Sequence, residues 1–410
     1  MTGSVRTRGL TLNARLLCLC LLLAHAANAQ LPTGRLTTVF PAGGQRGSTF
    51  KCRIISAADL DETKTLWFSH SGIRAVPTSD GIEGSNEFHV SIDSSVPTGI
   101  YEVRAGGLYG LSNPRLFMVG DGREVAENEP NNSRDAANTL TVNSTANGQI
   151  ATNGDVDWYR FEAKAGQRVL IECLARSLDS MLAPRIDLYD TSGKRVARET
   201  GNDTRDALVD ITAAKDGAFL VRVSEQTFQG SNERCYRLNI HTRPYIDFVM
   251  PPAVVAGRKQ SVTVYGRNLP GGKPTGKTAD GDVLESVTTD VIAPARTSEL
   301  RPETAISSTL ASIDGFAWRL GSSNPVLLQF AEAAPVLETE PNAAEQPQQI
   351  SVPGEVAGQF QQPGDLDVFE FEAKKGQSFY IEVFGQRNGS SADPFLKLSL
   401  IHISEPTRPY

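Results

Sequence analysis

Apolar and polar residues alternate along most of this chain in short runs, the period of a half-buried strand rather than of a helix. Thr49 to Ile55, Lys64 to Ser69, Asn86 to Ile92 and Ile100 to Ala105 read as strands parted by Gly, Pro, Asp and Ser turns. A second group follows: Trp158 to Phe161, Arg168 to Ala175, Arg185 to Tyr189, Ala207 to Ile211, Ala218 to Val223 and Cys235 to Ile240. Ser192-Gly193-Lys194 and Asp216-Gly217 supply turns between them. No convincing amphipathic helix interrupts the pattern, so the predicted class is all-β, built as tandem β-sandwiches. Between Arg267 and Phe316 the sequence is weakly periodic and rich in Gly, Pro, Thr and Ala, which predicts long loops.

The pattern is also duplicated. Pro41 recurs as Pro252, Ser112-Asn113-Pro114 as Ser323-Asn324-Pro325, and Glu127 as Glu338, all at an offset of 211 residues. Glu127-Asn128-Glu129-Pro130-Asn131 returns as Glu338-Thr339-Glu340-Pro341-Asn342. Each copy is followed by an aspartate pair, Asp155 and Asp157 or Asp365 and Asp367, and then by a shared Phe-Glu-Ala-Lys-x-Gly-Gln run. A repeat unit therefore holds one domain before the acidic segment and one after it, with the acidic segment as their hinge. The second copy lacks counterparts of the last three strands of the first and is expected to expose its inner face and an unpaired edge.

Composition narrows the functions. With 410 residues, 40% apolar and 21% charged, the chain sits in the globular range. A net charge of -7 and a pI near 5.4 argue against nucleic-acid binding and suit calcium better. The N-terminus carries Arg6, Arg8 and Arg15, the apolar run Leu16 to Ala24, and Ala27-Asn28-Ala29, the layout of a secretory signal cleaved after Ala29. No stretch is long enough to span a bilayer as a helix. Cys52, Cys173 and Cys235 remain after cleavage, and alternation points Cys173 and Cys235 in different directions, which opposes a disulfide. From Leu398 to Arg408 the sequence resembles a translated sequencing adapter, and the natural protein is expected to continue.

Two resemblances refine the architecture. Pro41-Ala42-Gly43-Gly44 before a strand, and Val262-Thr263-Val264-Tyr265-Gly266-Arg267-Asn268-Leu269, resemble immunoglobulin-like domains of the IPT/TIG type. Glu-Pro-Asn-Asn, Gly-Asp-x-Asp-Trp-Tyr-x-Phe, Ala-Gly-Gln and Asp216-Gly217-Ala218-Phe219-Leu220-Val221-Arg222-Val223 are together similar to the bacterial pre-peptidase C-terminal (PPC) domain, a jelly-roll-like sandwich. The implied layout is 1–29 signal peptide, 30–120 Ig-like, 121–243 PPC-like, 244–335 Ig-like, 336–397 truncated PPC-like and 398–410 adapter-derived tail.

The candidate chemistry is oxygen-rich. Glu127, Glu129 and Asn131 alternate on one side of an extended segment, Asn132 adds an oxygen, and Asp155 and Asp157 share parity with the core residues Tyr159 and Phe161. Buried carboxylates need a partner, and calcium takes several hard oxygens in a flexible cage. Collagenase-associated domains that look like PPC domains bind calcium at such a segment, so the resemblance implies calcium at these six residues. It implies the same at Glu338, Glu340, Asn342, Asp365 and Asp367, where Ala343 replaces Asn132. The competing reading is a solvated linker whose aspartates cap turns through backbone N–H groups. His70, His89 and His241 are scattered without a hydrolase motif, and Cys52 lacks a neighbouring base. The expected function is therefore an exported, non-catalytic binding or spacer array, secreted, periplasmic or on the cell surface, with calcium stiffening its joints and an extracellular polymer or protein as partner. The alternative is the N-terminal accessory part of a secreted peptidase.

Overall fold

The computed structural model describes residues 34–58, 60, 63–78, 86–201, 206–279, 281–296, 314–385 and 390–399. The predicted signal peptide and nearly all of the predicted tail lie outside them. Among the described residues there is no α-helix, only two short 3₁₀ turns, and the chain forms successive β-sandwiches. Among the described residues no helix is long and apolar enough to cross a membrane.

In the first sandwich one sheet runs in the order Arg35–Phe40, Thr49–Ala58, Glu87–Ile92, Ile73–Pro77. The facing sheet runs Gly43–Gln45, Arg115–Gly120, Gly99–Gly107, Thr65–Phe68, with Gly110–Leu111 turning back on Gly99–Gly107. Inward positions of both sheets, among them Cys52, Ile54, Phe88, Val90, Val103 and Phe117, form one apolar core. The sandwich follows from period-2 burial: Glu87–Ile92 alternates exposed and buried at its start, and Gly99–Gly107 alternates for seven residues.

The second sandwich pairs two five-stranded sheets. One runs Arg123–Ala126, Ser144–Gln149, Cys235–His241, Arg168–Leu174, Ala207–Thr212; the other runs Asn138–Thr139, Val156–Ala163, Gly217–Glu225, Pro184–Tyr189, Arg195–Thr200. Tyr159, Phe161, Val169, Ile171, Val221, Val223, Tyr236, Leu238 and Ile240 meet between them, and Phe161 stacks on Phe219 at 5.6 Å. Arg123 pairs with Ser144, which pairs with Ile240, so the chain comes into and leaves this sandwich at the same end, where Arg243 bonds Asp121 at 2.8 Å.

The third sandwich corrects the predicted long loops. Lys273–Ala279 and the eleven-residue strand Asp282–Ile292 occupy that stretch, and with Tyr245–Met250 and Lys259–Arg267 they make a four-stranded sheet facing Ala253–Val255, Val326–Ala331 and Gly315–Trp318. The reason is exposure: Lys273–Ala279 is an edge strand without a buried residue, so it needs no apolar period. Residues 297–313, also within that prediction, lie outside the described residues.

From Val336 onward the strands are two residues long. Val336–Leu337 pairs with Val356–Ala357, and Gln348–Gln349 with Phe369–Glu370, both parallel. These repeat the parallel pairings of Arg123–Ala126 with Ser144–Gln149 and of Asn138–Thr139 with Val156–Ala163. Phe379, Tyr380, Ile381, Val383, Phe384, Phe395 and Leu396 are exposed there, whereas the matching Leu170, Ile171, Cys173 and Ile186 of the first copy are covered.

Where the acidic segment was expected to form the hinge, the first two sandwiches share a packed seam. Ala42, Leu174, Leu178 and Cys235 are buried against Phe40, Ile100, Leu116 and Met118. Beside it Arg237, 1% exposed, donates to Glu124 at 2.6 Å and Asn147 at 2.9 Å. A Cβ at Gly43 would strike the Arg237 guanidinium at 2.7 Å, so glycine is required for that close approach. Cys235 sits in this seam while Cys173 sits in the sandwich core, and both are free thiols, as their alternation predicts.

His241 closes the Cys235–His241 strand with its Nδ1 buried and unpartnered. Burial first, and then the nearby Arg243 charge, hold its pKa down from 6.5 to about 3. A base depressed in the folded state contributes stability above its unfolded value, near pH 6.5, and that contribution fades as pH falls toward 3. The wild-type urea midpoint should therefore drop more steeply between pH 7 and 4.5 than that of His241→Gln. Equal slopes would refute this role.

Candidate metal centre

Parallel pairing builds the cluster. Arg123–Ala126 lies along Ser144–Gln149, and Glu127 extends that ladder by donating its N–H to the Asn147 carbonyl at 3.0 Å. Its side chain then turns back so that Oε1 accepts from the Gln149 N–H at 2.8 Å, while Oε2 is buried without a partner. Gly148 makes room, because a Cβ there would lie 2.6 Å from Oε2. The next residues cross to the opposite sheet, where the Trp158 N–H donates to the Asn131 carbonyl at 3.0 Å. That bond brings Asn131 and Glu129 against Asp157 at the start of Val156–Ala163.

Carboxylate oxygens of Glu127, Glu129 and Asp157 converge within 4.8 Å of one another. Asp157 and Asn131 are fully buried, Glu127 is half-buried and Glu129 faces solvent. With its nitrogen turned inward, the Asn131 amide donates to Asp157 Oδ1 at 2.9 Å and Glu129 Oε2 at 3.2 Å. With its oxygen inward, it meets only carboxylate oxygens, an arrangement that needs a cation. Tyr236 donates its hydroxyl to Asp157 Oδ2 and shares a 2.8 Å bond with Tyr159.

No cationic side chain is hydrogen-bonded or ion-paired to the three carboxylates among the described residues. Burial, reinforced by the charge of Asp157, pushes Glu127 up to about 9; burial likewise pushes Asp157 up to about 8 despite the Tyr236 bond. Burial thus favours the protonated forms of Glu127 and Asp157, and a divalent ion would displace those protons.

The second copy has the same frame. Glu338, Glu340 and Asp367 converge, Glu338 Oε1 accepts from the Gln359 N–H at 2.7 Å, and Glu338 Oε2 is again buried and unpartnered. Val368 N–H donates to the Asn342 carbonyl at 2.7 Å, and the Asn342 side-chain nitrogen and Asp367 Oδ1 are both buried without a partner. Burial raises the Glu338 and Asp367 pKa values here too.

The six predicted residues separate. Glu127, Glu129, Asn131 and Asp157 meet. Asp155 is engaged in its own turn, accepting from Ala151 N–H at 3.1 Å and Val156 N–H at 3.0 Å, and Asp365 does the same with Gln361 N–H at 2.6 Å. Asn132 faces solvent. Gly148, Gln149 and Tyr236 were not anticipated. Gly148-Gln149 was visible as a repeat of Gly358-Gln359, whereas Tyr236 has no counterpart in the second copy.

The histidines stay apart, His70 accepting from the Gly72 N–H at 3.0 Å and His89 exposed on Glu87–Ile92, both in the first sandwich, with His241 in the second. Burial raises all three thiols, Cys235 to about 11 and Cys52 and Cys173 further, which disfavours the reactive thiolate.

No protein-family profile matches the chain, and no curated protein matches it. Among solved structures it is similar to the pre-peptidase C-terminal domain of a collagenase from Bacillus anthracis, at 19% identity over 28% of this chain and 99% of that one, with a TM-score of 0.22. It is also similar to SGBP-B of the Bacteroides ovatus mixed-linkage glucan utilization locus, at 10% identity over 48% and 76% with a TM-score of 0.19. A third similarity is to the secreted serine protease VesC from Vibrio cholerae, at 11% identity over 51% and 50% with a TM-score of 0.19. At such identities and TM-scores the likeness transfers neither activity nor site to this chain.

Proposed function

We propose that this chain is an exported, non-catalytic array of β-sandwiches that presents its sheet faces to an extracellular polymer or protein and carries calcium at the start of each PPC-like unit. The carrying observation is the orphaned oxygen: a buried glutamate Oε2 without a partner recurs at Glu127 and Glu338, each beside an aspartate and a buried asparagine amide. Evenly spread surface acids would not repeat such a defect at the same place. Calcium suits it, since carboxylate and amide oxygens in a flexible segment are its usual ligands and waters can complete the shell.

In this reading Glu127, Glu129, Asp157 and the Asn131 amide oxygen hold the ion. It ties the segment that begins the sandwich to both of its sheets, one through Glu127 and one through Asp157. The joint between the first two sandwiches is held separately, by the apolar seam and Arg237.

Calcium titrated into the metal-free chain should give a binding heat and raise the melting temperature, by the equivalent of about 2.7 kcal/mol at a hundredfold excess over Kd. Glu129→Gln should remove the binding at the first site and leave that at Glu340 in place. An absence of both heat and thermal shift would end the proposal. Small-angle scattering should show the first two sandwiches in the same arrangement with calcium and with chelator.

A further inference from the structure

The net charge of -7 conceals a face of opposite sign. On the outer surface of the sheet that contains Val156–Ala163, Gly217–Glu225, Pro184–Tyr189 and Arg195–Thr200, register places Asp187 directly between Arg222 and Arg198. Asp187 is fully buried. Arg198 Nε reaches it at 2.6 Å, Arg222 at 3.0 Å, Arg195 at 3.6 Å and Arg185 at 4.0 Å. Four guanidiniums thus surround one carboxylate. A fifth, on the exposed Arg134, lies over the rings of Tyr189 at 4.4 Å and Trp158 at 5.3 Å.

Folding does not account for this excess. One or two arginines satisfy a buried carboxylate, and each further one adds repulsion between like charges at little gain near solvent. The Arg195 and Arg198 side chains are 47% and 41% exposed, so their remaining N–H groups are open to a ligand. Asp187 fixes the guanidiniums in place before any ligand arrives, which reduces the entropy lost on binding. Planar forks of this kind match carboxylate and sulfate oxygens. Trp158 is covered by Arg134 and so offers no open ring for a base to stack on.

We infer that this arginine face binds a linear anionic polysaccharide, carboxylated or sulfated, through guanidinium–anion pairs. The inference deepens the reading of the chain as an extracellular binding array and rests on it, but it does not depend on calcium.

The test measures the full chain on immobilised heparin as the sulfated probe, polygalacturonate as the carboxylated probe and dextran as the neutral one, with duplex DNA in parallel, each in chelator and in calcium. Binding is expected to heparin, polygalacturonate or both but not to dextran, at equal strength in chelator, and to weaken by about tenfold or more between 50 and 200 mM salt. Arg195→Glu with Arg198→Glu should weaken it at least about tenfold, while Lys374→Glu with Lys375→Glu, the same charge change on another exposed surface, should leave it unchanged. Arg195→Gln alone provides the same contrast on a smaller scale if the double variant fails to fold. The inference is overturned if neither anionic glycan is retained, if the lysine variant loses as much as the arginine variant, if DNA binds as tightly as the glycans, or if binding requires calcium. Loss of the calcium heat with glycan binding intact would instead overturn only the metal site.

Discussion

Arg267→Ala is expected to destabilise the third sandwich by about 3–5 kcal/mol, the cost of removing one partner from a buried ionic group. Arg267 is fully buried, with Asp247 at 3.3 Å, Asp282 at 3.4 Å and Asp210 at 3.5 Å. Asp210 belongs to the second sandwich, where Arg168 also grips it at 2.5 Å while reaching Glu285 of the third at 2.7 Å. Deleting the Arg267 guanidinium would leave clustered carboxylates facing one another across the joint with Arg168 alone between them. Hydrogen exchange should report the loss as reduced protection in Lys259–Arg267 and Asp282–Ile292, with the first sandwich unchanged. Unchanged protection would mean that water or rearranged side chains replace the arginine. Arg267→Lys should rescue only part of the loss, because one ammonium cannot span the same set of acceptors.

Phe161→Ala is expected to cost the second sandwich about 3–5 kcal/mol, through lost transfer energy and the cavity left behind. Phe161 is fully buried and stacked on Phe219 in the centre of the core. Its repeat counterpart, Phe371, is only half-buried and meets Phe379 at 5.2 Å. Phe371→Ala should therefore cost less than about 1 kcal/mol, since a poorly covered side chain loses little when truncated. The pair is an internal control in one polypeptide, read as urea midpoints of the two units by site-resolved exchange. Similar costs at both positions would refute the claim that burial separates the copies.

Alternation made the all-β class legible, both where a strand has one wet and one dry face, as in Glu87–Ile92, and where polar and apolar residues still alternate in a fully buried strand, as in Cys235–His241. Ser144–Gln149 escaped because, though both its faces are dry, Ala146 is its only apolar side chain and no alternation marks it. Thr145 bonds Asn239 at 2.7 Å, Asn147 bonds Glu124 and Arg237, and Gln149 receives Arg53 from the first sandwich. A strand trapped between a core and a neighbouring domain can be polar and fully buried if every polar group is paired, and its composition then reads as a turn. Lys273–Ala279 escaped for the opposite reason, as an exposed edge. At the candidate site, duplication exposed Glu127, Glu129, Asn131 and Asp157, because a defect retained in both copies leaves a repeated word. It could not separate Asp157, which points into the cluster, from Asp155, which is bound by Ala151 and Val156 N–H groups. Both aspartates share strand parity, and only the turn geometry tells them apart. The arginine face was hidden by summation: a whole-chain charge averages over surfaces, and Asp187 gathers its arginines from three strands.

The pairing of Arg123 with Ser144 and of Ser144 with Ile240, together with the Arg243–Asp121 bond, makes the second sandwich a detour that returns to its starting point. Tension along the backbone would thus pass from Asp121 to Arg243 across a few ångströms instead of through the length of the domain. Arg319 of the third sandwich already bonds the Thr98 carbonyl of the first at 2.9 Å, so the flanking units touch without it. The second sandwich thereby hangs beside the path of load as a pendant while its neighbours carry the pull.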